Sequence, residues 1–187
     1  MIPRHNLATV FSPLRDLCND RYGVAAVEFA IVLPFMLALY LGGIELGTGF
    51  SIAVKVTDTA HTVADLTSQN TSINNATMSA ILGASSATIA PYSSYYVVVT
   101  VSEVSTNASG TATVTWSDSL NGTPRPVGQP MTLPSSLAGQ PNISLILGEV
   151  TYAYTPNLGY VISGTVNLSD SYYLFPRSSS SITRVNS

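Results

Sequence analysis

Sixteen consecutive residues without formal charge, Phe29 to Ile44, follow directly on a carboxylate at Glu28. The lead-in reads Gly23-Val24-Ala25-Ala26-Val27-Glu28-Phe29: a glycine, four small apolar residues and an acid. A carboxylate this close to a hydrocarbon-seeking run costs a few kcal/mol and is a functional hypothesis by default. Its position matters as much as its presence. Were the chain cut after Gly23, Glu28 would lie about one helical turn from a new, positively charged amino terminus.

The apolar character extends from Val24 to Phe50, broken only by Glu28, Glu45 and small polar residues. As a helix, this stretch would be roughly 40 Å long at about 1.5 Å per residue, enough to cross a bilayer. Arg4, Arg15 and Arg21 precede it and only Lys55 follows closely. That asymmetry places the amino end in the cytoplasm and the remainder outside, since acidic residues such as Asp16 and Asp20 count little in this rule. A secretory signal peptide has a shorter apolar region and a small-x-small cleavage site behind it. Here only Gly47-Thr48-Gly49 offers such a site, and poorly. An uncleaved anchor is the other plain alternative. Pro34 lies inside the run and removes the bond to Ala30, loosening the helix there. Gly43 and Gly47, four apart, give a small-residue face on which another helix can pack. Glu45 falls near the outer interface, reaching headgroups, water or a specific contact.

Helical spacing continues past Phe50. Ile52, Val56, Ala60 and Val63 recur at four, four and three, with Lys55, Asp58, His61 and Asp65 mostly opposite. This predicts one long helix to about Thr67, its second half laid on a soluble domain. Asn70 to Asn75 breaks it, and a short helix over Ala76–Leu82 follows, capped by Asn74 or Asn75 and ended by Gly83. Beyond residue 90 strands take over. Tyr95 to Ser102 and Thr111 to Trp116 alternate and pair across a turn at Asn107–Gly110. Ile143–Thr155 and Tyr160–Leu174 form a second hairpin turned at Pro156–Gly159. The expected class is α+β, a long helix covering one face of an antiparallel sheet of about four strands. Asp118 to Asn142 holds five of the eleven prolines and reads as a long irregular loop with a short strand at Met131–Leu133, either a partner-contacting surface or an inert connector. The serine-rich tail, 178–187, is expected to fray. The divisions are thus 1–23, 24–50, 51–90, 91–177 and the tail.

Composition excludes several functions. Charged residues make up 9% of the chain, against roughly 25% in ordinary soluble domains. Serine and threonine supply about a quarter of it, a polar surface built from hydroxyls that suits an exported protein. A net charge of −3 without a basic stripe argues against nucleic acid. Cys18 is the only cysteine and lies upstream of Gly23. A chain processed there has neither disulfide nor thiolate metal site. His5 and His61 are the only histidines, and His61 sits among threonines on the polar helix face with no second ligand at metal spacing. No serine sits in Gly-x-Ser-x-Gly. Glu103, Asp118, Glu149 and Asp170 are scattered, and no glycine loop precedes a lysine in the phosphate-cradling pattern. No enzyme, metal or cofactor is expected. Six Asn-x-Ser/Thr sequons, at Asn70, Asn75, Asn107, Asn121, Asn142 and Asn167, match what chance gives in so polar a chain.

Gly23 followed five residues later by Glu28 resembles the leader junction of type IV pilins, which a prepilin peptidase cuts after the glycine. The longer block, Gly23 to Pro34 followed by Gly43-Ile-Glu45-Leu-Gly47, resembles the TadE/TadG-like pseudopilins of the Tad (Flp) pilus system. Glu149-Val-Thr-Tyr152-Ala-Tyr154-Thr-Pro156 and the late Pro176-Arg177 resemble that family's closing hairpin. Flp major pilins are much shorter and carry tyrosine after the glutamate, so Phe29 fits a pseudopilin, and the length is TadE-like. The resemblance implies a pilin-like fold, a cytoplasmic leader over 1–23 and a single-pass protein of the bacterial inner membrane with a periplasmic domain. It also implies a mature amino terminus at Val24, paired through Glu28 with a neighbouring subunit. Its partners would be the peptidase, other pilin-like subunits and Tad assembly proteins, in the service of adhesion. A type II secretion pseudopilin remains an alternative that a calcium site or disulfide would favour. So does a signal-anchored periplasmic binding or hydrolytic domain in which Gly23 is never cut.

Overall fold

The computed structural model of the protein describes residues 21–156 and 163–185. Most of the leader, the turn at 157–159, the first residues expected of the last long strand, and the final two residues lie outside that range. Helix α1 runs without interruption from Arg21 to Ser68 and carries Pro34 inside it. Its second half obeys the four-four-three spacing: Ile52, Val56, Ala60, Val63 and Ala64 are all buried. Strand β1 (Ser72–Ile73) follows, then helix α2 (Asn75–Ala87), whose cap Asn74 accepts from the Thr77 amide. The sequence predicts that this helix stops at Gly83, yet it continues four residues further. A single glycine costs a helix only about 1 kcal/mol, and Ser85 and Ser86 beyond it are buried.

The main sheet contains β2 (Val97–Thr106), β3 (Ala112–Leu120), β4 (Pro130–Met131), β5 (Ser144–Tyr154) and β6 (Val166–Leu174). They are all antiparallel, in the order β4-β3-β2-β5-β6. The architecture is α+β, with the long helix on a five-stranded sheet rather than four, the extra strand being the two-residue β4. The β2–β3 turn is built on Asn107, whose Oδ1 accepts from the amides of Ser109 and Thr111 at 3.0 and 2.9 Å. Gly110 supplies the left-handed residue that closes it, at φ +78°.

Alternation along β2 and β5 sorts the core onto two faces. Val97, Val99, Val101, Ile146, Val150 and Tyr152 pack under α1. A register shift between Glu103 and Val104 turns Val104 to the other face, where it joins Leu145 and Leu147. The sequence alone assigns no cover to that second face. Leu133 and Leu137 of the proline-rich stretch close over it, with Met131 and Tyr173. The same stretch sends Arg125 to Glu149 in a two-pronged ion pair, Nε to Oε2 at 2.7 Å and Nη2 to Oε1 at 2.5 Å. β3 takes the first three residues of the expected 118–142 loop; the remainder is mostly irregular in backbone yet packed, and its short strand lies at Pro130–Met131, one residue earlier than the spacing suggests.

The tail departs furthest from expectation. Ile182 is buried, and β7 (Thr183–Arg184) pairs in parallel with β1. Four side-chain hydrogen bonds pin it: the Trp116 indole donates to the Ile182 carbonyl at 2.8 Å, the Ile182 amide donates to Glu103 Oε1 at 2.8 Å, and Arg184 grips Asp118 with two, at 2.8 and 3.1 Å. Ser144 donates to the same oxygen of Glu103 at 2.6 Å. Glu103 and Asp118, scattered carboxylates in the sequence, are here the fasteners of a chain end. Buried charges are kept where such bonds satisfy them.

Candidate functional site

The residues singled out by the sequence lie along the first half of α1, which stands clear of the domain. From Val24 to Tyr40 every side chain is exposed, including Phe29, Ile31, Phe35 and Leu39. A contiguous apolar surface of this size marks a membrane or protein contact. Among the described residues this is the one helix long and apolar enough to cross a membrane. Gly23 is already helical, in the first turn of α1, rather than extended. Val24 and Glu28 are exposed and four residues apart, so they share one face of the helix.

The two packing glycines are also open. A Cβ placed on Gly43 or Gly47 would meet nothing within 4 Å, whereas one on Gly49 would touch the Tyr154 ring at 3.5 Å. The domain therefore takes the Gly49 side of the helix and leaves Gly43 and Gly47 unoccupied.

Glu45 does not stand out in open solvent. It is 3% exposed, beneath the end of β5, where the Tyr154 hydroxyl donates to its backbone carbonyl at 3.0 Å. The contact is specific, and it fixes the level at which sheet and helix meet. Ile44, Glu45 and Thr48 form one wall of a cleft whose other wall is Tyr92, Tyr96, Tyr152 and Tyr154. No sequence spacing brings Tyr92 and Tyr96 to Glu45; the pairing of β2 with β5, Val97 opposite Tyr152, sets them beside Tyr152 and Tyr154. The cluster of tyrosines just before β2 and at the end of β5 was the legible hint.

Burial pushes the hydroxyls of Tyr152, Tyr154 and Tyr173 above the usual phenol value, and the charge of Glu45 adds to the effect at Tyr154. The folded state therefore holds these protons more tightly than the unfolded chain, so the associated stability is present below the ordinary phenol pKa of about 10 and is lost as pH rises through the folded values. Unfolding free energy is expected to be flat across neutral pH with respect to these groups and to fall above about pH 10. Guanidinium titrations followed by Trp116 fluorescence at stepped alkaline pH would read this, and a midpoint unchanged to pH 12 would refute it.

His61 remains exposed on the outer side of α1, but it is stacked on Tyr172, ring centroids 3.5 Å apart. Among the described residues, no group of three or more His, Cys, Asp or Glu is placed to hold a metal ion. Thr57 donates to Asp170, and Arg177 pairs with Asp65, so the charged residues near His61 tie the helix to β6 and the loop that follows it.

Comparison with known proteins bears on this helix alone. Neither a curated protein nor a solved structure matches the sequence. Residues 23–65 match the model of the TadE-like protein family, a stretch that opens on Gly23, takes in the whole exposed part of α1 and ends in the turns seated on the sheet. Over that stretch, the sequence is similar to the TadE-like family.

Proposed function

We propose that this chain is a minor pilin-like subunit of a Tad-type pilus system in the bacterial inner membrane. A prepilin peptidase removes the leader after Gly23, the amino end faces the cytoplasm, and the sheet domain stands in the periplasm. The chain is a substrate of that peptidase, not an enzyme, and serves adhesion through the pilus. The family match carries this reading, because its first residue is the glycine at which such a leader would be cut. The arginines before the apolar run, against the single lysine behind it, support the orientation.

In this reading Val24 and Glu28 act together. Cleavage makes Val24 an amine with a pKa of about 8, protonated at neutral pH. A neighbouring subunit then presents its Glu28 to that amine, and each group offsets the other's desolvation inside the helix bundle. Gly43 and Gly47 offer the close approach that such a bundle requires. The helical state of Gly23 is no obstacle, since glycine destabilises a helix by about 1 kcal/mol relative to alanine and unwinds there readily.

Mass analysis of the membrane-extracted protein tests the central point. The expected mature amino terminus is Val24. An intact Met1, or a start beyond Phe50, would overturn the proposal.

A further inference from the structure

We propose that the cleft between α1 and the tyrosine end of the sheet is a binding site for the ammonium headgroup of a zwitterionic phospholipid, drawn from the membrane leaflet that the sheet domain faces. The site rests on the membrane-anchor reading, and three observations carry it. The first is its lining. Tyr92, Tyr96, Tyr152 and Tyr154 share one cavity of about 870 Å³ with the buried Glu45. The Tyr96 and Tyr152 rings lie edge to face with centroids 6.3 Å apart. Aromatic rings around a carboxylate form the recognition chemistry of alkylammonium groups, which bind ring faces within about 6 Å. No lysine or arginine is among the described residues of the lining, so none of them carries a positive charge for an anionic group.

The second observation is depth. A hydrocarbon core of about 30 Å takes about 20 helical residues. Counted from Val24, those residues end at Gly43, one residue short of the cleft. The hydrogen bond from Tyr154 to the Glu45 carbonyl holds the sheet at that same level. Glu45 and its tyrosines therefore sit in the headgroup layer.

The third is the rim. Tyr95 and Tyr96 are 81% and 53% exposed, in edge-to-face contact with each other at 5.2 Å. Exposed tyrosines at the exit of a membrane helix are the side chains that settle at headgroup depth, with ring towards the acyl chains and hydroxyl towards water.

The test is native mass spectrometry of the full chain released from nanodiscs of equal phosphatidylethanolamine and phosphatidylglycerol. One phosphatidylethanolamine per chain is expected to persist at collision energies that strip phosphatidylglycerol. Glu45→Gln and Tyr96→Ala should each lower that retention roughly tenfold, the scale of one lost cation–π or charge contact. Tyr40→Ala, on the exposed span, should leave it unchanged. Tyr96 is exposed and the Tyr154 bond to residue 45 is to its backbone, so that bond is kept in both variants, and Trp116 emission checks that the domain stays folded in each. Equal retention of the two lipids, or a preference that survives both cleft variants, overturns the proposal. So does a dimer that carries no lipid, which would mean an amine of a second copy fills the cleft. Failure of the anchor reading looks different: the protein would be extracted by carbonate and would enter no nanodisc.

Discussion

A Glu28→Leu variant is expected to insert into the membrane and lose its leader as the parent does, yet to fail in assembly. Near the hydrocarbon, a carboxylate is less welcome than leucine by up to about 3 kcal/mol at mid-span and less towards the end, so insertion can only improve. No contact within the described chain depends on Glu28, which is exposed on α1 well outside the sheet domain. The stability of that domain should therefore not move. In the proposed assembly, however, each Glu28 meets the amine of a neighbour's Val24. Removing one partner leaves a buried ammonium uncompensated, a loss on the order of 3–5 kcal/mol at each contact, or at least a hundredfold in each association step. Two differently tagged copies should co-purify for the parent and separate for the variant, with carbonate extraction and the amino-terminal mass unchanged between them. Glu28→Gln should resemble leucine, because the amide keeps the size and loses the charge. Assembly that is indifferent to both variants would exclude the pairing role.

What could be read from the sequence was what local periodicity records. The four-four-three spacing from Ile52 to Val63 gave the buried face of α1, and alternation at Tyr95–Ser102 gave β2, because each element's pattern reports the face it buries. The readings that failed depend on contacts between distant residues. Nothing in Ser-Ser-Ile-Thr-Arg announces a strand; Ile182 is held only because Trp116 and Glu103, more than 60 positions upstream, present a donor and an acceptor to its backbone. The burial of Glu45 becomes visible only when the end of β5 is laid over it. The proline-rich stretch looks solvated until Leu133 and Leu137 meet the face that the bulge at Glu103 and Val104 opens. The amino-terminal block was legible for a different reason. Its features, a glycine, an acid and an apolar run, answer to a membrane and to other proteins, so no fold was needed to see them.

Gly148 provides the sharpest test of how helix and sheet are joined. It lies in β5, where α1 crosses, and a Cβ there would come within 2.6 Å of the Ala60 carbonyl oxygen, 2.7 Å of Val63 Cγ1 and 3.3 Å of the Ala64 methyl. A glycine inside a strand marks a close approach of backbone, and the small residues Ala60 and Ala64 on the helix complete the fit. Ordinary van der Waals contact would require the helix to lift by most of an ångström. The rotation of Val63 can relieve one of these contacts, but the backbone carbonyl cannot turn away without breaking the helix. Gly148→Ala is therefore expected to destabilise the domain by about 2 kcal/mol, within the 1–3 kcal/mol typical of overpacking, even though alanine is the better-ordered residue in an unfolded comparison. Gly83 supplies the opposite case. It is exposed within α2, and a Cβ there meets nothing within 4 Å. Gly83→Ala should stabilise by about 0.5–1 kcal/mol, the ordinary helix preference for alanine. Thermal unfolding of the full chain in detergent, read by Trp116 emission, should lower the midpoint for the first variant by roughly 8 °C and raise it for the second by roughly 2–4 °C, at about 4 °C per kcal/mol for a domain of this size. Equal shifts would mean that α1 does not cross the sheet at Gly148. Opposite shifts would place that crossing at the one residue in β5 able to admit it.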